Sequence, residues 1–324
     1  MIAIYNRAPS GTGLVRATGE AIAPETLWID LVDPQPGEDA ALETALGIDI
    51  PTRAEMREIE SSSRLFAENG TLYMTAFIID DIDAPLPSSS TATFILTGGR
   101  LVTVRYASPK AFQMVAARAE KAILPCADGG EILAALLEAL VSQSADLIER
   151  MQDDVEKLTA QLFRVKGGEQ TRTRRLDVVL RQTGKAGDMV ATVTETATSL
   201  DRLLNFLRES QRRSGADDRH GLRLGAIVRD VASLNEHLKF LSDRTTFLLN
   251  ATLGMITIEQ NQIIKLFSVM AVMLMPPTLV ASIYGMNFRH MPELDWAWGY
   301  PGALLLMLVA ALVPFAYFRR KGWM

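Results

Sequence analysis

LFSVMAVMLMPPTLVASIYGMNF at residues 266–288 and WAWGYPGALLLMLVAALVPFAYF at residues 296–318 are the two stretches that decide the fold. Neither stretch contains Asp, Glu, Lys, Arg or His. A helix needs roughly 20 apolar residues to cross the hydrocarbon core of a bilayer, and each stretch is that long. Because the two stand side by side, they predict two transmembrane helices rather than buried core helices of a soluble protein.

The charges that flank these stretches predict how they are oriented. Lys265 precedes the first, and the basic tail 319–324 follows the second. Because cytoplasmic flanks are enriched in Lys and Arg, both outer ends are expected in the cytoplasm and the loop 289–295 on the far side. The start of the chain lacks the basic and apolar regions of a cleaved signal peptide. The sequence therefore predicts an inner (plasma) membrane protein that crosses the lipid bilayer twice, with both termini cytoplasmic.

The composition of the chain excludes several classes of protein function. The 324 residues carry a net charge of −5, which argues against a nucleic-acid binder because such proteins cluster Lys and Arg. The single cysteine, Cys126, excludes an intrachain disulfide and a cysteine metal cage. Three histidines and no nucleophile motif, phosphate loop or metal triad make an enzyme the least favoured class. No prosthetic group is expected.

Residues 1–128 mix strand and helix signals and predict an α/β domain. Thr52 and Glu55 form a capping box, which predicts the start of a helix. The elements expected before it are strands at Met1–Tyr5 and Thr26–Val32 and a helix around Glu38–Leu46.

Two hairpins are expected after that helix. Asn69-Gly70 and Gly98-Gly99 suit the positive φ angles of a tight primed turn. Ser108 is expected to cap a further helix, with Pro109 at its first position. The hairpin strands are Arg64–Glu68 with Thr71–Asp80, and Thr91–Thr97 with Arg100–Tyr106.

From residue 129 onward the apolar residues recur at helical spacing. Residues 129–221 predict two long antiparallel helices, the second from about 169 to 213. From Ile227 to Met255 apolar residues alternate in steps of 4 and 3, a coiled-coil seam that indicates association between copies. No breaker separates this stalk, 222–265, from the first apolar stretch, so one helix of roughly 95 Å is expected over 222–284.

The first apolar stretch ends in the tripeptide Gly285-Met286-Asn287. Its position resembles the hallmark of the CorA magnesium channel family, Gly-Met-Asn at the outer end of the first of two C-terminal helices. The resemblance covers essentially the whole chain. The other matching runs are Tyr284, Phe288, Met291-Pro292-Glu293-Leu294, Trp296, Tyr300-Pro301-Gly302, Arg319-Arg320-Lys321-Gly322-Trp323, Glu259-Gln260-Asn261, Lys265 and, more loosely, Trp28-Ile29-Asp30-Leu31-Val32.

This resemblance implies an architecture and a function. The architecture is an α+β cytoplasmic domain with a long helical stalk and two C-terminal transmembrane α-helices, assembled as a homopentameric funnel around one pore. The function is channel-type uptake of magnesium, with cobalt and nickel as further candidates. The membrane potential drives the ion inward, and intracellular divalent cations, magnesium included, gate the channel.

The resemblance also assigns residues to the pore. Gly285, Met286 and Asn287 would form the outer selectivity filter, where neutral amide oxygens hold a hydrated Mg²⁺, an ion that loses its water reluctantly. Thr278 would add a second polar ring, and Met275 and Ile264 would make apolar constrictions that gate by dewetting. Counting inward in steps of 3 and 4 gives the whole face: Ser282, Thr278, Met275, Ala271, Ser268 or Phe267, Ile264 and Asn261.

Acidic residues are the candidates for gating and for ion capture. Asp80, Asp81, Asp83 and, on the stalk, Asp230 would bind the regulatory metal between subunits; the alternative is a solvated charge cluster. Glu293 and Asp295 would attract cations in the external loop. Relatives often have an acidic residue after Gly-Met-Asn-Phe, whereas this chain has Arg289 followed by His290, which weakens that electrostatic capture.

Two rival functions stay open. One is a transporter of the same superfamily for zinc, cobalt or nickel, although zinc-handling relatives differ around the Gly-x-Asn motif. The other is a membrane-anchored signalling or scaffold protein, for which the two helices are only an anchor. An anchor does not need an Asn at a fixed membrane depth followed by a patterned polar face.

Overall fold

A computed structural model gives the fold of the chain. It divides into two compact units, one of Met1–Arg164 with Arg181–Leu249 and one of Val165–Leu180 with Asn250–Met324. The residues that the structure describes are 1–9, 11–17, 19, 21–35, 37–58, 60–163, 169–214, 221–287, 291–292 and 295–323.

The first unit contains one mixed sheet of seven strands in the order β2-β1-β3-β7-β6-β5-β4. Neighbouring strands are antiparallel except β3 and β7, which run parallel. The predicted strand at Thr26–Val32 is confirmed to the residue. The strands are β1 Ile2–Arg7, β2 Leu14–Arg16, β3 Thr26–Val32, β4 Leu65–Glu68, β5 Thr71–Asp80, β6 Ser88–Thr97 and β7 Arg100–Arg105.

The two predicted hairpins are confirmed with their turns. Asn69 and Gly70 have φ of 49° and 79° between β4 and β5, and Gly98 and Gly99 have φ of 54° and 77° between β6 and β7. Positive φ at both central residues twists the turn in the sense that the strands require. The turn dipeptides therefore fix the register of both strand pairs.

Seven α-helices accompany the strands in the described part of the chain. The prediction of a helix at Glu38–Leu46 is confirmed, and the long C-terminal helices begin and end within a few residues of their predicted bounds. The helices are α1 Glu38–Leu46, α2 Ser61–Arg64, α3 Lys110–Glu120, α4 Gly129–Phe163, α5 Glu169–Ser214, α6 Gly221–Tyr284 and α7 Gly299–Arg320.

The helix predicted to begin at Thr52 is wrong, although its capping box forms. The Thr52 backbone N–H donates to Glu55 Oε2 at 2.8 Å, and the Glu55 N–H donates to Thr52 Oγ1 at 3.4 Å. Only a 3₁₀ turn over Glu55–Arg57 follows. Met56 is its one buried side chain, so the turn has no apolar face that would extend it into a helix.

The cap predicted for α3 is also wrong. Ser108 does not cap this helix; the N-cap position belongs to Pro109, without a side-chain hydrogen bond. The ψ of Pro109 is 140°, which is extended rather than helical, so the first turn begins one residue later at Lys110.

The core of the first unit lies on both faces of the sheet. On one face Trp28 and Phe94 pack with residues of α3, α4, α5 and α6. On the other face Ile29 and Val102 pack with Leu42 of α1. A buried ion pair joins the parallel strands, where Arg105 Nη2 lies 2.7 Å from Asp30 Oδ2 and Thr103 donates to Asp30 Oδ1 at 2.7 Å. This carboxylate is fully engaged and serves the sheet rather than an ion.

Helix α6 confirms the long helix predicted over 222–284, and its 64 residues span about 96 Å at ~1.5 Å per residue. The interpretation of its seam is wrong. Ile227 and Val231 pack with Leu200 and Leu203 of the same chain, and Leu238 packs with residues of α4 and α5. The seam is therefore covered within one chain and gives no reason for copies to associate.

The two apolar helices end slightly differently from the predicted spans. Helix α6 stops at Tyr284, so Gly285–Asn287 leave the helix instead of completing the span to 288. Helix α7 starts at Gly299, three residues after the predicted 296, with Trp298 as its N-cap. By length and composition α6 and α7 can each cross a membrane, and no residue of α7 is buried in the chain.

Candidate functional site

The tripeptide Gly285-Met286-Asn287 forms a tight turn at the end of α6. The Gly285 N–H donates to the Ala281 carbonyl four residues earlier, at 2.9 Å. The Met286 N–H donates to the Ile283 carbonyl only three residues earlier, at 3.2 Å. A Cβ at Gly285 would lie 3.1 Å from the Ala281 oxygen, closer than side chains normally approach. Glycine lets the last turn tighten, and the exposed Asn287 follows directly after the helix.

The predicted pore face of α6 is exposed along its whole length in the single chain. Ile264 and Met275 are 61% and 70% exposed. At about 100° per residue the less exposed residues fall on the opposite side of the helix. Those on the exposed face are Asn261, Ile264, Ala271, Met275, Thr278 and Ser282, and those opposite are Val269, Met273, Pro276, Pro277, Val280 and Tyr284.

Thr278 presents a defined chemical group on this face. Its Oγ1 donates to the Leu274 carbonyl at 2.7 Å. A hydroxyl has one proton and two acceptor lone pairs. Because the proton is engaged inside the helix, Thr278 offers only acceptor capacity to whatever passes along the face, which suits a hydrated cation.

Two adjacent prolines directly precede Thr278. Pro276 and Pro277 have no N–H, so the carbonyls of Val272 and Met273 receive no helical hydrogen bond from them. Helix α6 nevertheless continues through both prolines. In a bilayer such carbonyls require another donor, which a neighbouring helix or water can supply.

The apolar part of α6 and the end of α7 meet at their cationic ends. The Lys265 ammonium lies 5.9 Å from the centre of the Trp323 ring. Their other ends are joined by the short segment 285–298, so the two apolar helices run antiparallel. The sequence did not predict this contact, because the two residues are far apart in the chain. The basic residues at the ends of both apolar stretches were the available signal that these ends lie on the same side of the membrane.

The candidate regulatory carboxylates are brought together only in part. Asp80 ends β5, and its Oδ1 accepts a hydrogen bond from the Asp81 N–H at 3.0 Å. Asp83 forms an exposed ion pair with Lys110, a partner that the sequence did not suggest. The hydrogen bond and positive charge of Lys110 lower the pKa of Asp83 below its usual range.

No single-chain metal site results from these carboxylates. Asp230 lies exposed on α6. Across the described part of the chain no group of three or more His, Cys, Asp or Glu side chains could hold a metal ion. A metal at these carboxylates would take its remaining ligands from water or from another copy.

The loop between α6 and α7 is described only in part. Asp295 is exposed shortly before α7. Glu293, Arg289 and His290 lie outside the described residues, so their predicted roles in ion capture stay predictions.

Comparison with known proteins places this geometry in a family. The family model described as CorA-like Mg²⁺ transporter protein matches residues 24–320. The magnesium transport protein CorA of Yersinia pestis is 37% identical over 299 residues, 92% of both chains. The Escherichia coli K12 protein of that name is 37% identical over 298 residues, again 92% of both chains.

Solved structures confirm the fold. The complete structure of the CorA magnesium transporter from Methanocaldococcus jannaschii covers 100% of this chain and 99% of its own, with a TM-score of 0.75 at 17% identity. The cytoplasmic domain of ZntB from Vibrio parahaemolyticus covers 78% of this chain and 96% of its own, with a TM-score of 0.57 at 10% identity. At such identities the likeness concerns the fold alone.

The α+β soluble part, the long helix and the two C-terminal apolar helices predicted from the sequence are thus confirmed. Proteins of this description are transporters rather than enzymes, which confirms the exclusion of an enzyme. With a family model matched over residues 24–320 and relatives 36–37% identical over at least 92% of the chain, the chain belongs to the CorA-like Mg²⁺ transporter family.

Proposed function

We propose that this protein is a channel through which Mg²⁺ enters the cytoplasm, with α6 as the pore-lining helix. The supporting observation is the face of α6 that ends in the tight turn before Asn287: it is exposed along its length, and the less exposed residues of the helix lie opposite it. The relatives bear the name magnesium transport protein, and their similarity extends over 92% of the chain. Magnesium is the cargo of this channel rather than a resident cofactor.

Several copies must line one pore, because two membrane helices cannot enclose an aqueous path. Five copies around a central axis would place five Asn287 carboxamides in one ring at the outer end. Their neutral oxygens accept hydrogen bonds from the water shell of Mg²⁺, which this ion loses reluctantly. Gly285 and Met286 complete the filter by ending the helix at that depth.

Below the filter the face alternates polar and apolar rings. Ser282 and Thr278 offer oxygens to the hydrated ion, whereas Met275 and Ile264 form apolar constrictions that close by dewetting. Ala271 leaves space between the constrictions, and Asn261 provides a polar ring at the inner mouth. These assignments rest on the helical spacing of these residues along one face of α6 and on the exposure of that face.

The direction of transport follows from the orientation we propose. Lys265 and Trp323 lie together, which supports basic ends on one side of the membrane, and the positive-inside rule puts that side in the cytoplasm. Both termini are then cytoplasmic. A divalent ion moving inward gains about 4.6 kcal/mol per 100 mV, from ~2.3 kcal/mol per charge. Cobalt and nickel, as divalent ions, are expected to compete.

Intracellular divalent cations would gate the pore through carboxylates of neighbouring copies. Asp80 ends β5, Asp81 and Asp83 follow it, and Asp230 lies exposed on α6. Mg²⁺ bound between such groups offsets their repulsion, and its loss lets the subunits move apart. Asp83 is paired with Lys110 in the chain, so a metal must compete with this lysine. On the outer side the negative charges of Asp295 and Glu293 would raise the local cation concentration, whereas the positive charge of Arg289 would lower it.

Mg²⁺ uptake into liposomes tests the proposal. Under an inside-negative potential the wild-type protein is expected to carry Mg²⁺, and Asn287→Ala is expected to abolish selective uptake. Asn205→Ala, an exposed amide on α5, is the matched control and should behave as wild type. A native mass of about 178 kDa, five times the 35.6 kDa chain, would support the pentamer.

Two results of the same assay would contradict the proposal. No uptake by the wild-type protein would contradict the channel and favour an anchor. Uptake of Zn²⁺ in preference to Mg²⁺ would make the chain a zinc transporter of the same superfamily.

A further inference from the structure

Three side chains at the inner end of α7 form an arrangement that the pore itself does not explain. Trp323 stacks on Phe318 with ring centroids 5.3 Å apart and planes 28° apart. The Lys265 ammonium of α6 lies 5.9 Å from the centre of the same Trp323 ring, within cation–π range. We call Lys265, Phe318 and Trp323 the inner clasp.

The backbone holds Trp323 in this position. Gly322 adopts a left-handed φ of 69°, which glycine reaches without strain, and its N–H donates to the Arg319 carbonyl at 3.2 Å. The Trp323 N–H donates back to the Phe318 carbonyl at 3.1 Å. This is the hydrogen-bond pattern of a Schellman C-cap, in which the residue after the glycine packs back on the helix. The C-cap therefore fixes the position of the Trp323 side chain against α7.

Lys265 lies directly beside the proposed pore face of α6. It follows Ile264, which is 61% exposed and belongs to the pore face. Adjacent residues are 3.8 Å apart at Cα and about 100° apart around a helix, and the lysine stem is long and flexible. Released from the clasp, the ammonium could swing beside Ile264. A positive charge there would repel a divalent cation at the inner mouth.

We propose that Trp323 is a positioning residue for ion passage. Its ring holds the Lys265 ammonium against α7 and keeps that charge away from the path of the departing cation. This inference rests on the proposed function, because it requires α6 to line the pore. In a pentamer the clasp would restrain five such charges at the same depth.

Mg²⁺ uptake by variants of the clasp tests the inference. Trp323→Leu keeps an apolar side chain but removes the aromatic face, and at low ionic strength it should slow initial uptake at least about fivefold. Adding Lys265→Gln to Trp323→Leu should restore uptake to within about twofold of wild type, because no charge is left to restrain. Roughly 1 M salt should shrink the loss, since it screens the repulsion. A purely structural role of Trp323 predicts neither rescue nor salt dependence.

Lys321 provides the matched control. It lies in the same tail, 5.3 Å from the centre of the Tyr317 ring, so Lys321→Gln removes a charge from a different aromatic partner. Lys321→Gln in the Trp323→Leu background should not restore uptake. Trp323→Phe keeps an aromatic face and should lose less than Trp323→Leu; if Trp323→Leu fails to assemble, Trp323→Gln, which also lacks an aromatic face, takes its place in the rescue test.

The outcomes separate this inference from the channel itself. Wild-type uptake in Trp323→Leu, or a loss that Lys265→Gln does not rescue, overturns the clasp while the channel stands. Rescue by Lys321→Gln also overturns it, because the effect would then be one of general tail charge. No uptake by the wild-type protein overturns both proposals together.

Discussion

Thr278 shows how one side chain acquires a single chemical role from its backbone. Its Oγ1 proton is donated to the Leu274 carbonyl at 2.7 Å, so its lone pairs remain for the exposed face. The neighbouring Pro277 has no N–H of its own to offer the helix. Sequence periodicity placed Thr278 on the helix face that the family resemblance assigns to the pore, but it did not show where the proton goes.

The acceptor role predicts different effects for two substitutions of Thr278. Thr278→Val keeps the shape and removes both lone pairs, so Mg²⁺ uptake should fall about tenfold, the effect of ~1.4 kcal/mol. Thr278→Ser keeps the hydroxyl and should remain within about threefold of wild type. Initial uptake rates into liposomes measure both. Equal uptake by the Val and Ser variants would exclude an acceptor role.

Among the helices, α4 shows how a backbone contact fixes an element. The Gly129 N–H donates to the Gly99 carbonyl at 2.7 Å, which brings the start of α4 against the β6–β7 turn. A Cβ at Gly129 would lie 2.5 Å from the Arg100 carbonyl carbon and from the Leu101 nitrogen. The sequence predicted the helix from 3.6-residue periodicity, but this close approach depends on a strand pair about 30 residues earlier.

Two glycine substitutions should therefore act in opposite directions on stability. Gly129→Ala drives a methyl group into backbone that cannot yield, which should destabilise the fold by about 1–3 kcal/mol. Gly184→Ala, in the middle of α5, meets no atom within 4 Å and should stabilise it by up to about 1 kcal/mol through helix propensity. Thermal unfolding in detergent measures both. A rise in Tm for Gly129→Ala would contradict the close contact.

At the scale of the whole molecule, the antiparallel apolar helices make the two sides of the membrane distinguishable. Asp295 belongs to the loop between the two apolar helices, which we expect on the outer side, and Ala45 belongs to α1 in the soluble part. The natural cysteine does not interfere, because Cys126 is buried and burial, assisted by Glu131, raises its pKa to about 11. At pH 8 its thiol is protonated and shielded, so the wild-type chain should not react with maleimide.

Cysteine labelling of intact cells should then report the orientation. Asp295→Cys is expected to react with a membrane-impermeant maleimide at pH 8 from outside, whereas Ala45→Cys should react only after the membrane is permeabilised. Gel shift of the labelled chain measures both. The reverse pattern would place the soluble part outside the cell and contradict inward Mg²⁺ transport.

The sequence by itself determined the features whose conformation depends only on residues adjacent in the chain. Runs without charge predicted α6 and α7, and Asn69-Gly70 and Gly98-Gly99 predicted two turns, because local conformation and transfer into lipid follow from consecutive side chains. It failed at Thr52, where a local cap had no buried apolar face to extend the helix. Tertiary structure alone decided that the seam of α6 packs within the chain, that Lys110 pairs with Asp83 and that Trp323 holds Lys265. Each of these contacts joins residues tens of positions apart, and only the packed chain brings them together.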